Sequence, residues 1–129
     1  MEKKLDLTQA EWLLMEKLWA QSPQTGRELT CAMQAQTGWS RSTTLTLLRR
    51  LAEKGAVRYE ESGSVRTFFP NITRERAAVR QTRDLLGRVY HGSLSMLVSA
   101  MTREEALPQE EIDELYALLN EMEAKKRRD

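Results

Sequence analysis

The sequence predicts a mainly α-helical chain with one β-hairpin in its middle, and three observations predict it. Apolar residues recur at helical spacing in both the first fifty and the last sixty residues. Around residues 56–69 that period gives way to two short runs of β-branched and aromatic residues separated by turn chemistry. Just before them, WSRSTTLTLLRRLAEKG at 39–55 reads as a capped helix with two unlike faces.

Taken in order, Leu7-Thr8-Gln9-Ala10-Glu11 opens the first helix. Thr8 and Glu11 have the spacing of a capping box, and Leu7 supplies a hydrophobic staple. Ala10, Leu14 and Leu18, widened by Trp12, Met15 and Trp19, form its apolar side up to Ala20, before Ser22-Pro23. A second capping box, Thr25 to Glu28, starts a helix through Leu29, Ala32 and Met33 that stops at Thr37-Gly38. After the tight turn Gly38-Trp39-Ser40 comes the central helix, N-capped by Ser40 and stopped at Lys54-Gly55. At 100° per residue, Thr44, Leu47, Leu48 and Leu51 share its buried side. The opposite side carries Ser42, Leu45, Thr46, Arg49 and Arg50, with Thr43 at the margin. Two helices joined by a short turn, the second with a polar outward face, make a helix-turn-helix. The runs at 56–60 and 65–69, joined by Glu61-Ser62-Gly63-Ser64 and closed by Pro70, add a wing. Residues 1–70 are therefore expected to be a winged helix-turn-helix domain of three helices and a β-hairpin.

The remainder, 71–129, is expected to be a helical dimerisation domain. Thr73 caps a helix running toward Tyr90, and His91-Gly92-Ser93 interrupts it. A short apolar helix spans 94–101, and Pro108 starts a last one. That last helix is acidic in its first turn (Glu110, Glu111, Asp113) and basic in its last (Lys125 to Arg128), which suits the helix dipole. Slim amphipathic helices totalling about sixty residues close a core poorly alone. Two copies would close it together, through Leu94, Leu97, Val98 and Met101 and through Ile112, Leu115, Leu119 and Met122; the alternative is that these helices fold back onto their own winged helix.

Composition narrows the function. The formal net charge is +1, so the chain is not an indiscriminate polycation. Its basic charge is local: residues 40–58 hold Arg41, Arg49, Arg50, Lys54 and Arg58 against the single acid Glu53. No run is apolar or long enough to span a bilayer, and no signal-peptide segment opens the chain, so a cytoplasmic protein is expected. The single cysteine, Cys31, forms no internal disulfide and reads as a small packed side chain. His91 is the only histidine and sits in a helix break. With no phosphate loop, no paired nucleophile and no set of metal ligands, neither an enzyme nor a metal or cofactor site is expected. The bland reading of the outward face of the central helix is a solvated surface, and the winged helix around it supports binding of double-stranded DNA instead. Arginines of the central helix (Arg41, Arg49, Arg50) and of the wing (Arg58, Arg66) would meet phosphates. Ser42, Thr43 and Thr46 would read base edges, and Leu45 would either touch a thymine methyl or close the gap to the wing.

These stretches also carry a resemblance. LTQAEWLLMEKLW, WSRSTTLTLLRRLAEKG, the RTFFP wing end, VYHGSLSMLV and LPQEEIDELYALLNEM together resemble the bacterial penicillinase repressors of the BlaI/MecI type, a group with copper-responsive relatives. The resemblance runs from about Leu7 to Met122. It implies a homodimeric transcriptional repressor on a pseudo-palindromic operator, with Ser42, Thr43, Thr46, Arg50 and Arg66 as DNA contacts. It further implies control of a β-lactam resistance or related stress operon. A membrane sensor-protease is the implied partner, relieving repression by a cut at Ala100-Met101. Three departures stand out. Relatives often have lysine where Ser42 stands and a basic residue near Leu45. The C-terminal Cys-x-Cys pairs of the copper-responsive branch are missing here. Ala100-Met101 is not the family's usual pair. A winged helix used for protein–protein contact, and a repressor answering to a small molecule, are the alternative readings.

Overall fold

A computed structural model describes residues 5–128. The elements follow in the order α1 (Gln9–Ala20), β1 (Gln24–Thr25), α2 (Gly26–Thr37), α3 (Arg41–Glu53), β2 (Val57–Ser62), β3 (Val65–Pro70), α4 (Arg74–Tyr90), α5 (Leu94–Glu104) and α6 (Gln109–Arg128). They fall into two compact units, Met1–Leu85 and Leu86–Asp129.

In the first unit the expected caps form. The Thr8 hydroxyl accepts from the Glu11 N–H while the Glu11 carboxylate accepts from the Thr8 N–H, and Thr25 and Glu28 repeat the arrangement. Gly38 ends α2 at φ 78°, a left-handed conformation that glycine adopts without a Cβ penalty. Helix α3 buries Thr44, Leu47, Leu48 and Leu51. These side chains meet Leu14, Met15 and Leu18 of α1, Leu29 and Met33 of α2, and Val57 and Phe68 of the sheet in one core. Cys31, expected inside, is exposed. Leu29, Thr30 and Met33 take the buried side of α2, and Cys31 lies across the helix from them.

The sheet has one strand more than the hairpin expected from sequence. Its order is β1-β3-β2, all antiparallel, with Gln24 opposite Phe68 and Thr25 opposite Thr67. A strand of two residues has no periodicity to betray it. Pairing of Ser62 with Val65 leaves Gly63-Ser64 as the whole turn, so β2 runs further than expected.

The first compact unit also extends past residue 70, the boundary expected from sequence, as far as Leu85 in α4. Ala77 is fully buried. Gln81 exchanges two hydrogen bonds with the Leu7 backbone, donating at 2.8 Å and accepting at 3.4 Å. The Arg74 guanidinium donates to Glu16 at 2.6 Å, and the Trp19 indole donates to the Ile72 carbonyl at 2.9 Å.

In the second unit, α4 ends at His91 and Gly92, both at positive φ, and the Gly92 N–H closes back on the Leu86 carbonyl at 2.8 Å. Ser93 then caps α5 through the Met96 N–H. Helix α5 runs on to Glu104, three residues beyond the end expected at 101. Among the described residues, neither α5 nor α6 buries a side chain.

Candidate nucleic-acid interface

Packing of the Thr44, Leu47, Leu48 and Leu51 stripe turns the other face of α3 outward. Arg41, Ser42, Thr43, Leu45, Arg49 and Arg50 are exposed and Thr46 is half-buried. At the helix start the Ser40 hydroxyl accepts the Thr43 N–H at 3.2 Å. It also lies 3.2 Å from the Ser42 hydroxyl and 3.0 Å from that of Thr43. The capping bond therefore gathers three hydroxyls at the end of the helix where N–H groups already point outward. Such a cluster donates to and accepts from base edges and phosphates alike.

Beside this face, between α3 and the wing, lies an open cleft of about 1150 Å³. Its floor is apolar, formed by Gly26, Leu45, Leu48 and Phe68, and Arg27, Arg41, Arg49 and Arg66 line it with charge. Leu45 answers the question its sequence position raised in a mixed way. It reaches the neighbourhood of Gly26 together with the Phe68 ring, so it helps fill the space toward the wing. It is still 39% exposed, which leaves a methyl-sized contact available.

Strand alternation divides the wing arginines. Tyr59 pairs with Phe68 and Glu61 with Arg66, and Tyr59, Phe68 and Arg66 all line the cleft. Arg58 sits opposite Phe69, one residue out of phase, and so belongs to the other face of the hairpin. Each arginine is held by a ring and an acid. Arg66 lies over Tyr59 and 2.9 Å from Glu61, while Arg58 lies over Phe69 and 3.2 Å from Glu60.

The cleft thus brings together Arg41, Leu45, Thr46, Arg49 and Arg66. Ser42, Thr43 and Arg50 are exposed on α3 without lining it, and Arg58 is on the far face of the wing. Arg27 was not among the residues singled out from sequence. Its signal was there to read: it is the second residue of a capped helix, just after a glycine, where the chain has no reason to bury a cation.

Residues 7–121 match the family described as penicillinase repressor. The chain is 31% identical over 127 residues to the penicillinase repressor of Bacillus licheniformis, covering 98% of this chain and 99% of that one. It is 26% identical over 118 residues to the methicillin resistance regulatory protein MecI of Staphylococcus aureus, covering 92% and 96%. Among solved structures it is similar to the DNA-binding domain of the repressor BlaI, with a TM-score of 0.53 and 31% identity over 57% of this chain and 90% of that one. The Bacillus licheniformis BlaI monomeric form in complex with the blaP half-operator gives a TM-score of 0.51 at 31% identity, covering 58% and 92%. The first compact unit is a winged helix, and the chain belongs to the penicillinase repressor family.

Proposed function

We propose that this chain is a homodimeric transcriptional repressor. In this reading it binds a pseudo-palindromic operator in the cytoplasm and controls a β-lactam resistance or related stress operon. The observation that carries the reading is the outward face of α3, with hydroxyls at its start and arginines at its end, standing beside a cleft lined by four arginines. In the major groove, Ser42, Thr43 and Thr46 would meet base edges and Leu45 a thymine methyl. Arg27, Arg41, Arg49, Arg50 and Arg66 would hold the phosphates on either side. Arg58, on the other face of the wing, is left a phosphate contact at the edge of the site. A relative solved in complex with its half-operator supports DNA as the partner.

Dimerisation is supported by what the second unit leaves uncovered. Leu94, Met101, Leu119 and Met122 are each about half or more exposed, and Leu97, Val98, Ile112 and Leu115 are only half-buried. A second copy supplying the same surfaces would cover them, and its reading helix would reach the next major groove.

Release by a membrane sensor-protease would act at Ala100-Met101. That bond lies inside α5, three residues before its last turn ends at Glu104. A protease needs an extended substrate, so α5 must open locally before the cut. Cleavage would separate the Ile112 to Met122 stripe from the DNA-binding unit and remove the effective concentration that a dimer lends its second reading head.

The test is a gel-shift titration on the promoter DNA beside the chain's own gene, at two salt concentrations. A repressor binds that duplex better than a scrambled one, with affinity that falls steeply with salt. Equal, weak binding to both would sink the reading.

A further inference from the structure

The two capping boxes have the same chemistry, and only one of them needs a charge. Glu28 is exposed and, among the described residues, bonds only the cap it serves. Glu11 is fully buried. One of its oxygens accepts the Thr8 N–H at 2.9 Å and the Lys54 ammonium at 2.7 Å, across 43 residues of chain. Among the described residues the other oxygen is buried without a partner. A glutamine completes a capping box as well as a glutamate does. Burying a carboxylate with one oxygen unpartnered is costly, and apolar residues of similar size replace buried ion pairs with neutral or favourable effect. The cap alone therefore does not explain the charge at Glu11, and the stability its pairing with Lys54 adds is set against the cost of burying it.

Lys54 shows what the charge is for. It is the C-cap of α3, and its N–H bonds to the Arg50 carbonyl at 3.0 Å. Its side chain donates to Glu11 and to the Asp6 carbonyl. Gly55 follows at φ 79°, and the wing begins at Val57. The Asn71 side chain donates to the Gly55 carbonyl at 3.1 Å, which fastens the same junction from the end of the wing. One ammonium thus ties the last turn of α3, which carries Arg50, to the start of α1, just before the chain turns into the wing. Apolar packing is non-directional, whereas an ion pair at the end of a helix adds a directional constraint.

We propose that Glu11 and Lys54 are positioning residues for DNA recognition, fixing the last turn of α3 and the base of the wing in the register that sequence-specific binding requires. The proposal rests on the repressor reading. It is tested with full-length protein carrying Glu11→Gln, Lys54→Met or Lys54→Arg, with Glu28→Gln as the matched control. Binding is measured on the promoter duplex and on a scrambled duplex of equal length, at a temperature where melting curves show every variant folded. We expect Glu11→Gln and Lys54→Met to lose about tenfold in promoter affinity, the size of one mismatched base pair. Affinity for the scrambled duplex should hold, so the ratio between the two duplexes falls. Lys54→Arg should recover most of the ratio, and Glu28→Gln should leave it unchanged. Parental ratios in both Glu11→Gln and Lys54→Met would overturn the positioning role alone. A parent chain that does not distinguish the two duplexes would overturn the repressor reading and this proposal with it.

Discussion

Thr46 and Leu48 are two residues apart on α3 and belong to opposite worlds. Thr46 is half-buried at the cleft, whereas Leu48 is 2% exposed in the core. Thr46→Ala should weaken promoter binding by about 1–3 kcal/mol and leave stability nearly unchanged. Leu48→Ala should cost about 2–5 kcal/mol of stability by leaving a cavity. Gel shifts and chemical denaturation run on both variants separate the two effects, and a Thr46→Ala protein that binds like its parent would remove Thr46 from the interface. Glu11 gives a prediction in pH. Burial pushes its carboxyl up, but hydrogen bonds from Lys54 and from Thr8, with the nearby ammonium charge, outweigh burial and hold it below the ordinary value of 4.5. A depressed folded value means stability that is present above the unfolded value and lost as pH falls through the folded one. Denaturation midpoints should therefore drop below about pH 4.5. In Glu11→Gln the drop should be shallower, and an unchanged slope would show that other carboxylates carry it.

Among the elements of the interface, the wing has its charge already paired. Arg66 is half-exposed and paired with Glu61, so a phosphate must compete with a carboxylate for it. An exposed pair of this kind is weak. Removing the acid should nonetheless free the cation: Glu61→Gln should tighten binding to promoter and scrambled DNA alike and steepen the salt dependence. Weaker binding in that variant would mean that Glu61 orients Arg66 instead of holding it back. The wing also marks where sequence reading ran out. The caps of α1, α2 and α3 and the four buried positions of α3 were legible because helical spacing and capping residues are local properties of the chain. Strand β1 was not, since two residues carry no period, and its existence depends on a partner more than forty residues away. Glu11 was legible as a cap but not as the partner of Lys54, for the same reason. Arg58 and Arg66 were legible as wing cations, but their separation onto two faces needed the register of the hairpin.

For the chain as a unit of folding, the decisive point is where the first compact unit stops. A fragment ending at residue 70 loses the buried Ala77, the Gln81 bonds to Leu7, the Arg74 pair with Glu16 and the Ile72 acceptor of Trp19. A fragment ending at residue 85 keeps all of them. The longer fragment should melt several degrees higher, because about 1 kcal/mol shifts the midpoint of a domain this small by about 4–8 °C. It should sediment as a monomer, while the full chain sediments as a dimer at micromolar concentration. Equal melting of the two fragments would place the end of the folding unit at the wing, and a full-length monomer would remove α5 and α6 as its interface.

Strand β1 has a mechanical meaning. A hairpin attached only through its two ends is a flap, free to swing about its base. Here β3 is the middle strand, and Thr25, which pairs with Thr67, is also the N-cap of α2. The middle of the hairpin is thereby bolted to the start of a helix, and the end around Gly63-Ser64 overhangs. Amide hydrogen exchange should show the difference, with slow exchange at Thr67 and Phe68 beside the bolt and fast exchange at Gly63 and Ser64 on the overhang.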